Sequence, residues 1–163
     1  MIANWAAIEE PDDNHYDGDD ELMGIGAPLG RHLGLHRLGV HHVRLLPGRR
    51  TSFPHAERDD EELVFVLAGT PDVWLDGVLR RLEPGDAVGF PPGTGLAHTF
   101  INDTEEEVRL IVMGEATTPE SRVHYPLNPE EARRPDWWDV PPPRERGPHD
   151  GLPRRVREAR ARR

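Results

Sequence analysis

Short runs of apolar and polar residues alternate through the middle of the chain and read as β-strands. His41-His42-Val43-Arg44-Leu45-Leu46 has the length of one strand, and Pro47-Gly48 ends it. Glu62 opens a β-rich run, Leu63 to Leu67, that stops at Gly69 and Pro71. Asp72-Val73-Trp74-Leu75 leads into Asp76-Gly77, a favoured two-residue hairpin turn, and Val78 to Leu82 returns. After Pro84-Gly85-Asp86 come Val88-Gly89-Phe90, then Thr99 to Asn102, then Val108 to Met113. No helical period separates these runs. Strands this short and this regularly spaced predict an all-β barrel or sandwich.

The pattern fades at both ends. Residues 1–34 read as an acidic N-terminal arm, and Gly24-Ile25-Gly26-Ala27-Pro28-Leu29-Gly30 is rich enough in breakers to limit regular structure. Residues 35–115 read as the barrel. Residues 116–163 read as a Pro-, Trp- and Arg-rich C-terminal extension. Within it, Tyr125-Pro126-Leu127 reads as a last strand and Pro129 to Arg134 as a helical turn or two. Trp137 and Trp138 should pack over an apolar face. The basic end, Arg154 to Arg163, reads as a solvated, frayed tail.

Candidate chemistry sits in two stretches, Gly48 to Gly69 and Gly85 to Asn102. Residues two apart on a strand share a face, so His55 and Glu57 project together. Glu62 and His98 each open a strand. Two imidazoles and one or two carboxylates at strand ends suit a divalent first-row metal. Without an ion, the same residues would be rim charges. Val64, Val66 and Phe100 share faces with Glu62 and His98 and should form an apolar pocket wall. His41 and His42 point to opposite faces, so at most one reaches that pocket. Arg49, Arg50 and Arg58 read best as a solvated loop balanced by Asp59, Asp60 and Glu61. Pro91-Pro92-Gly93-Thr94-Gly95 lacks the Lys of a phosphate loop and reads as a rigid turn that delivers His98.

These two stretches resemble the motifs of the cupin family. The first runs Gly48, His55-Ala56-Glu57, Glu62, Gly69, and the second Gly85, Pro91-Pro92-Gly93, His98, Asn102. Glu57 stands where the family usually has its second histidine, and the gaps before His55 and His98 are longer than usual. The resemblance implies a single cupin barrel, a double-stranded β-helix or jelly roll. It also implies one divalent metal ion, Mn, Fe, Zn or Ni, on His55, Glu62 and His98. Glu57 is either a fourth ligand or a catalytic proton-transfer group. The implied function is a metal-binding cupin acting on a small polar metabolite by dioxygenase, isomerase or epimerase, or lyase chemistry. The alternative is a non-catalytic binding or sensing module of the same fold.

Composition narrows the partners. The chain has 163 residues, a net charge of -10, and 20 basic residues that are all Arg. An acidic body disfavours nucleic acid. There is no cysteine, which excludes disulfides and thiolate ligands. No apolar run approaches a bilayer span, so no membrane partner is expected, and the chain reads as cytoplasmic. A small-molecule ligand and a homodimer are the expected partners.

Overall fold

The computed structural model describes residues 2–162; Met1 of the arm and Arg163 of the basic end lie outside the described residues. Ten strands are arranged in antiparallel sheets. They are β1 (Ile25–Ala27), β2 (Leu38–Leu45), β3 (Ala56–Glu57), β4 (Glu62–Ala68), β5 (Asp72–Leu75), β6 (Val78–Arg81), β7 (Ala87–Phe90), β8 (His98–Ile101), β9 (Val108–Glu115) and β10 (Val123–His124). One five-stranded sheet runs β1-β2-β9-β4-β7, a three-stranded sheet runs β6-β5-β8, and β10 pairs with β3. Bridges at Arg50–Ile101 and His55–His98 tie the loop after β2 to the smaller sheet.

The period-2 pattern places the core. Along β4, Val64 and Val66 are buried while Leu63 and Leu67 are exposed. Leu45, Val64, Val66, Val73, Phe90, Phe100, Val108 and Leu110 pack between the two larger sheets. These side chains come from six strands, so the barrel closes around one apolar interior. At the β5–β6 hairpin, Asp76 (φ 43) and Gly77 (φ 86) both take positive φ, which is what a type I′ turn needs.

The ends depart from the pattern-based reading. The arm supplies β1, which pairs with β2 despite the flanking glycines. A four-residue helix, α1 (Leu29–His32), follows it. In the extension the strand is Val123–His124 rather than residues 125–127, and Pro129–Arg133 forms a short 3-10 helix. The extension covers the outer face of the smaller sheet, where Ala56, Trp74, Ala97, Ile101 and Trp138 form a second apolar cluster. Trp74 is fully buried there and its Nε1 donates to the His149 carbonyl at 2.9 Å. Trp137 is only half-buried and packs against a third cluster of Met23, Phe53 and Tyr125.

Two expectations about arginines are corrected. Arg50 is not a solvated loop residue: its side chain is 3% exposed, as is that of Glu21. Arg50 donates through Nε and Nη2 to the two Glu21 oxygens at 2.7 and 2.8 Å, and through Nη1 to the Gly151 carbonyl at 2.9 Å. Arm and extension bury this pair, and a contact between such distant segments leaves no local signal. Arg49 likewise pairs with Asp12, whereas Arg58 is exposed and pairs with Asp59. The basic end is not frayed: Arg154–Arg160 forms α2. Arg160 reaches Asp19 at 2.7 Å and Glu21 at 3.1 Å, while Arg155 and Arg157 pair with Glu105 and Asp150. Among the described residues, no helix is long and apolar enough to cross a membrane.

Candidate metal and catalytic site

The four candidate residues meet at one end of the barrel, around a cavity of about 390 Å³ that His55, Glu57, Glu62 and His98 all line. Each is placed by a different local device. His98 and His55 face each other through a pair of backbone hydrogen bonds, 2.8 and 3.1 Å. Their rings lie 4.7 Å apart at 44°. Phe90 stacks on His98 at 3.5 Å and 11°, which fixes the plane of that ring. Glu62 is inward because it shares a β4 face with Val64 and Val66. Glu57 is held by pairing with Val123 of β10, and its carbonyl accepts from Gly93 in the turn before His98. The extension therefore helps position Glu57.

Hydrogen bonds set the state of each donor atom. His55 Nδ1 lies 3.0 Å from the Phe53 carbonyl, which can only accept, so Nδ1 carries the proton and Nε2 keeps its lone pair. Ser52 Oγ lies 3.2 Å from the same nitrogen. Burial, aided by His98, lowers the His55 pKa to about 4, so the ring is neutral at neutral pH. His98 Nε2 lies 3.0 Å from Glu62 Oε1. Burial pushes the Glu62 carboxyl up, but that hydrogen bond and the surrounding imidazoles outweigh it and hold the carboxyl below its ordinary range. Burial and the nearby Glu62 charge raise Glu57 to about 7. Among the described residues, three side-chain atoms are buried without a hydrogen-bond partner: Glu57 Oε2 and His98 Nδ1 at this site, and Nδ1 of His42, which stacks on Trp5.

Among the described residues, no group of three or more His, Asp or Glu is drawn together tightly enough to hold an ion as it stands. The donor chemistry nevertheless fits a hard dication. His55 offers a neutral Nε2, Glu62 an ionised carboxylate, and Glu57 a buried oxygen with nothing else to bind. His98 and Glu62 presently satisfy each other.

Some lining residues carry no motif. His41 lines the cavity while His42 turns away and stacks on Trp5 at 4.1 Å, so only one of the pair faces in. Glu10 and Asn14 reach the cavity from the arm, and Asp60, Glu61, Glu115 and Thr117 complete its mouth. The acidity of the arm was visible in sequence, but its location was not. Asn102 closes the second motif yet stays off the site. It is fully buried, and its Nδ2 donates to the Leu45 and Glu106 carbonyls at 2.8 and 2.7 Å.

The family model for the cupin domain matches residues 41–114. The chain carries a cupin domain. Solved structures agree with its barrel. A cupin-superfamily sugar phosphate isomerase from Silicibacter pomeroyi is 32% identical with a TM-score of 0.60, covering 63% of this chain and 64% of that one. A putative sugar phosphate isomerase from Acidithiobacillus ferrooxidans is 31% identical with a TM-score of 0.60, covering 63% and 65%. The chain thus spans less than two thirds of the length of either isomerase. A polyketide cyclase from Streptomyces resistomycificus shares the fold at 21% identity and a TM-score of 0.60, covering 75% and 84%. No curated protein matches the chain in sequence.

Proposed function

We propose that this cupin is a metal-dependent enzyme that moves a proton on a small polyhydroxylated metabolite, in the manner of an aldose–ketose isomerase. The observation that carries this reading is Glu57, which lines the same cavity as His55, Glu62 and His98 and whose Oε2 is buried without a hydrogen-bond partner. A carboxylate that costs burial without a partner suits a proton-transfer group better than a structural one. The likeness to two sugar phosphate isomerases points to the same class of substrate.

His55, Glu62 and His98 would hold the ion, with Glu57 beside them. When bound, a divalent ion would supply Lewis-acid polarisation of the substrate's carbonyl and neighbouring hydroxyl oxygens. Glu57 takes the proton from the carbon beside the carbonyl and returns it to the former carbonyl carbon. The hydroxyl proton moves between the two oxygens, so no oxidant or co-reactant is consumed. Phe90, stacked on His98, keeps that imidazole in one plane, and the Phe53 carbonyl keeps His55 in one tautomer. Val64 and Phe100 form the dry wall behind the reacting carbons.

The test is Glu57→Gln in protein loaded with Mn²⁺. The variant should keep its metal, measured by elemental analysis, and lose solvent-deuterium exchange into the sugar, measured by NMR. Loss of the metal instead would make Glu57 a ligand. Wild-type protein that holds metal and exchanges no proton in any sugar would leave the binding-module reading.

A further inference from the structure

We infer that the substrate is an unphosphorylated, uncharged sugar, an inference that rests on the sugar reading above but parts from the phosphate esters named for the two isomerases. Glu10, Glu57, Asp60, Glu61, Glu62 and Glu115 all line the cavity, together with His41, His55 and His98. No arginine among the described residues lines it, and the chain contains no lysine at all. A phosphate monoester carries about -1.5 to -2 charges at neutral pH and is normally clamped by guanidinium or ammonium groups. Low-dielectric walls around an acidic lining strengthen its repulsion. One dication would offset only part of that lining.

The arginines nearest the site are already engaged. Arg31 pairs with Glu10 at 2.8 Å, and Arg58 pairs with Asp59. A smaller cleft of about 220 Å³ adjoins the cavity and shares His55, Glu57, Asp60 and Thr117 with it. Arg122 and Arg134 line that cleft, but so does Asp136. Arg134 donates through Nε and Nη2 to both Asp136 oxygens at 3.0 Å. Arg122 Nη1 donates to the Pro119 and Ser121 carbonyls. Arg134 is thus committed to Asp136, and Arg122 lines only the adjoining cleft, not the cavity.

Hydrogen-bond polarity gives the same answer independently of net charge. Ionised carboxylates only accept, and phosphate oxygens at neutral pH are chiefly acceptors too, whereas sugar hydroxyls donate. A ring of hydroxyls matches a wall of acceptors; a phosphate group does not.

The experiment measures binding of free sugars and their phosphate esters to Mn²⁺-loaded protein by calorimetry, using glucose against glucose 6-phosphate and ribose against ribose 5-phosphate. The free sugar of a pair should bind at least about tenfold more tightly than its ester. Glu61→Arg places a guanidinium at the mouth on an exposed residue and should narrow that gap by roughly tenfold, with Glu61→Gln in between. An ester that binds as tightly as its free sugar, or more tightly, overturns this inference and leaves the isomerase reading standing. A gap that neither Glu61 variant moves also overturns it, because charge would not be the discriminator. Protein that holds metal and binds neither member of any pair overturns the sugar reading itself, and this inference with it.

Discussion

Two of the buried charge clusters in this small protein, one around Arg50 and one around Glu57, are built on opposite principles. Around Arg50 each guanidinium nitrogen has a partner: Glu21 takes two hydrogen bonds, the Gly151 carbonyl takes a third, and Arg160 closes the other side of Glu21. Around Glu57 the accounting is left open. One carboxylate oxygen and one imidazole nitrogen have no partner, and Glu57 sits near Glu62 of the same charge. Burial of an unpaired polar group costs on the order of 1–3 kcal/mol. A satisfied cluster costs far less and orders the segments it joins, here arm, loop and extension. Saturation marks the first as structural, and the deficit of the second is what the proposed ion binding and proton transfer would use.

The largest effect should come from breaking the satisfied cluster. Arg50→Ala leaves buried Glu21 with only the more exposed Arg160 as a partner, and should lower unfolding stability in urea by about 3 kcal/mol. Replacing both partners, Arg50→Met with Glu21→Leu, should cost much less, because no bare charge remains. If the single and double changes cost the same, the cluster is not acting as a pair. Trp138→Ala should cost about 3 kcal/mol, since Trp138 is 8% exposed against Trp74 and Ile101, and half-buried Trp137 should cost less.

The unsatisfied cluster should respond in the other sense. Glu57→Gln should change stability in the metal-free protein by no more than about 1 kcal/mol, or raise it, because it removes a buried charge rather than a partner. Turnover should nonetheless fall by about a hundredfold or more. A large loss of stability here would erase the contrast between the two clusters.

The smallest effects belong to the outer ion pairs. Truncation after Pro153 removes α2 and should cost about 1 kcal/mol, since its paired arginines are themselves exposed and buried Glu21 keeps Arg50 when Arg160 is lost. Asp150 reports the same helix by pH. The Arg157 hydrogen bond, working against partial burial, lowers its pKa to about 2. A depressed carboxyl contributes stability that is present above its unfolded pKa and lost as pH falls through the folded one. The docking of α2 should therefore weaken between roughly pH 4 and pH 2, followed by the NMR signals of Arg157, and Asp150→Asn should remove that step.

How much of this was legible in the chain depends on the range of the interaction. The strands were readable because a half-buried strand writes its face into alternate residues, as Glu62, Val64 and Val66 do on β4. The Asp76-Gly77 turn was readable because few residue pairs accept positive φ twice in succession. The convergence of the candidate residues was readable because His55, Glu57, Glu62 and His98 lie at or beside strand ends, and all four line one cavity. The ends were not. Nothing local distinguishes Arg50 from its neighbour Arg49 or from Arg58, yet only Arg50 is sealed by Glu21 and Gly151.

The sequence by itself determined an all-β barrel and the donors that gather at one end of it, because strand period, turn chemistry and motif spacing are short-range properties. Only the tertiary structure decided which of these groups are saturated. It joined an acidic arm to a basic helix through Glu21 and Arg160, folded the extension over Trp74, and lined the cavity mouth with Glu10 from the arm and Glu115 from β9. Burial and pairing depend on every segment that packs nearby, and residues far apart in the chain leave no mark on one another's neighbourhoods until the chain is folded.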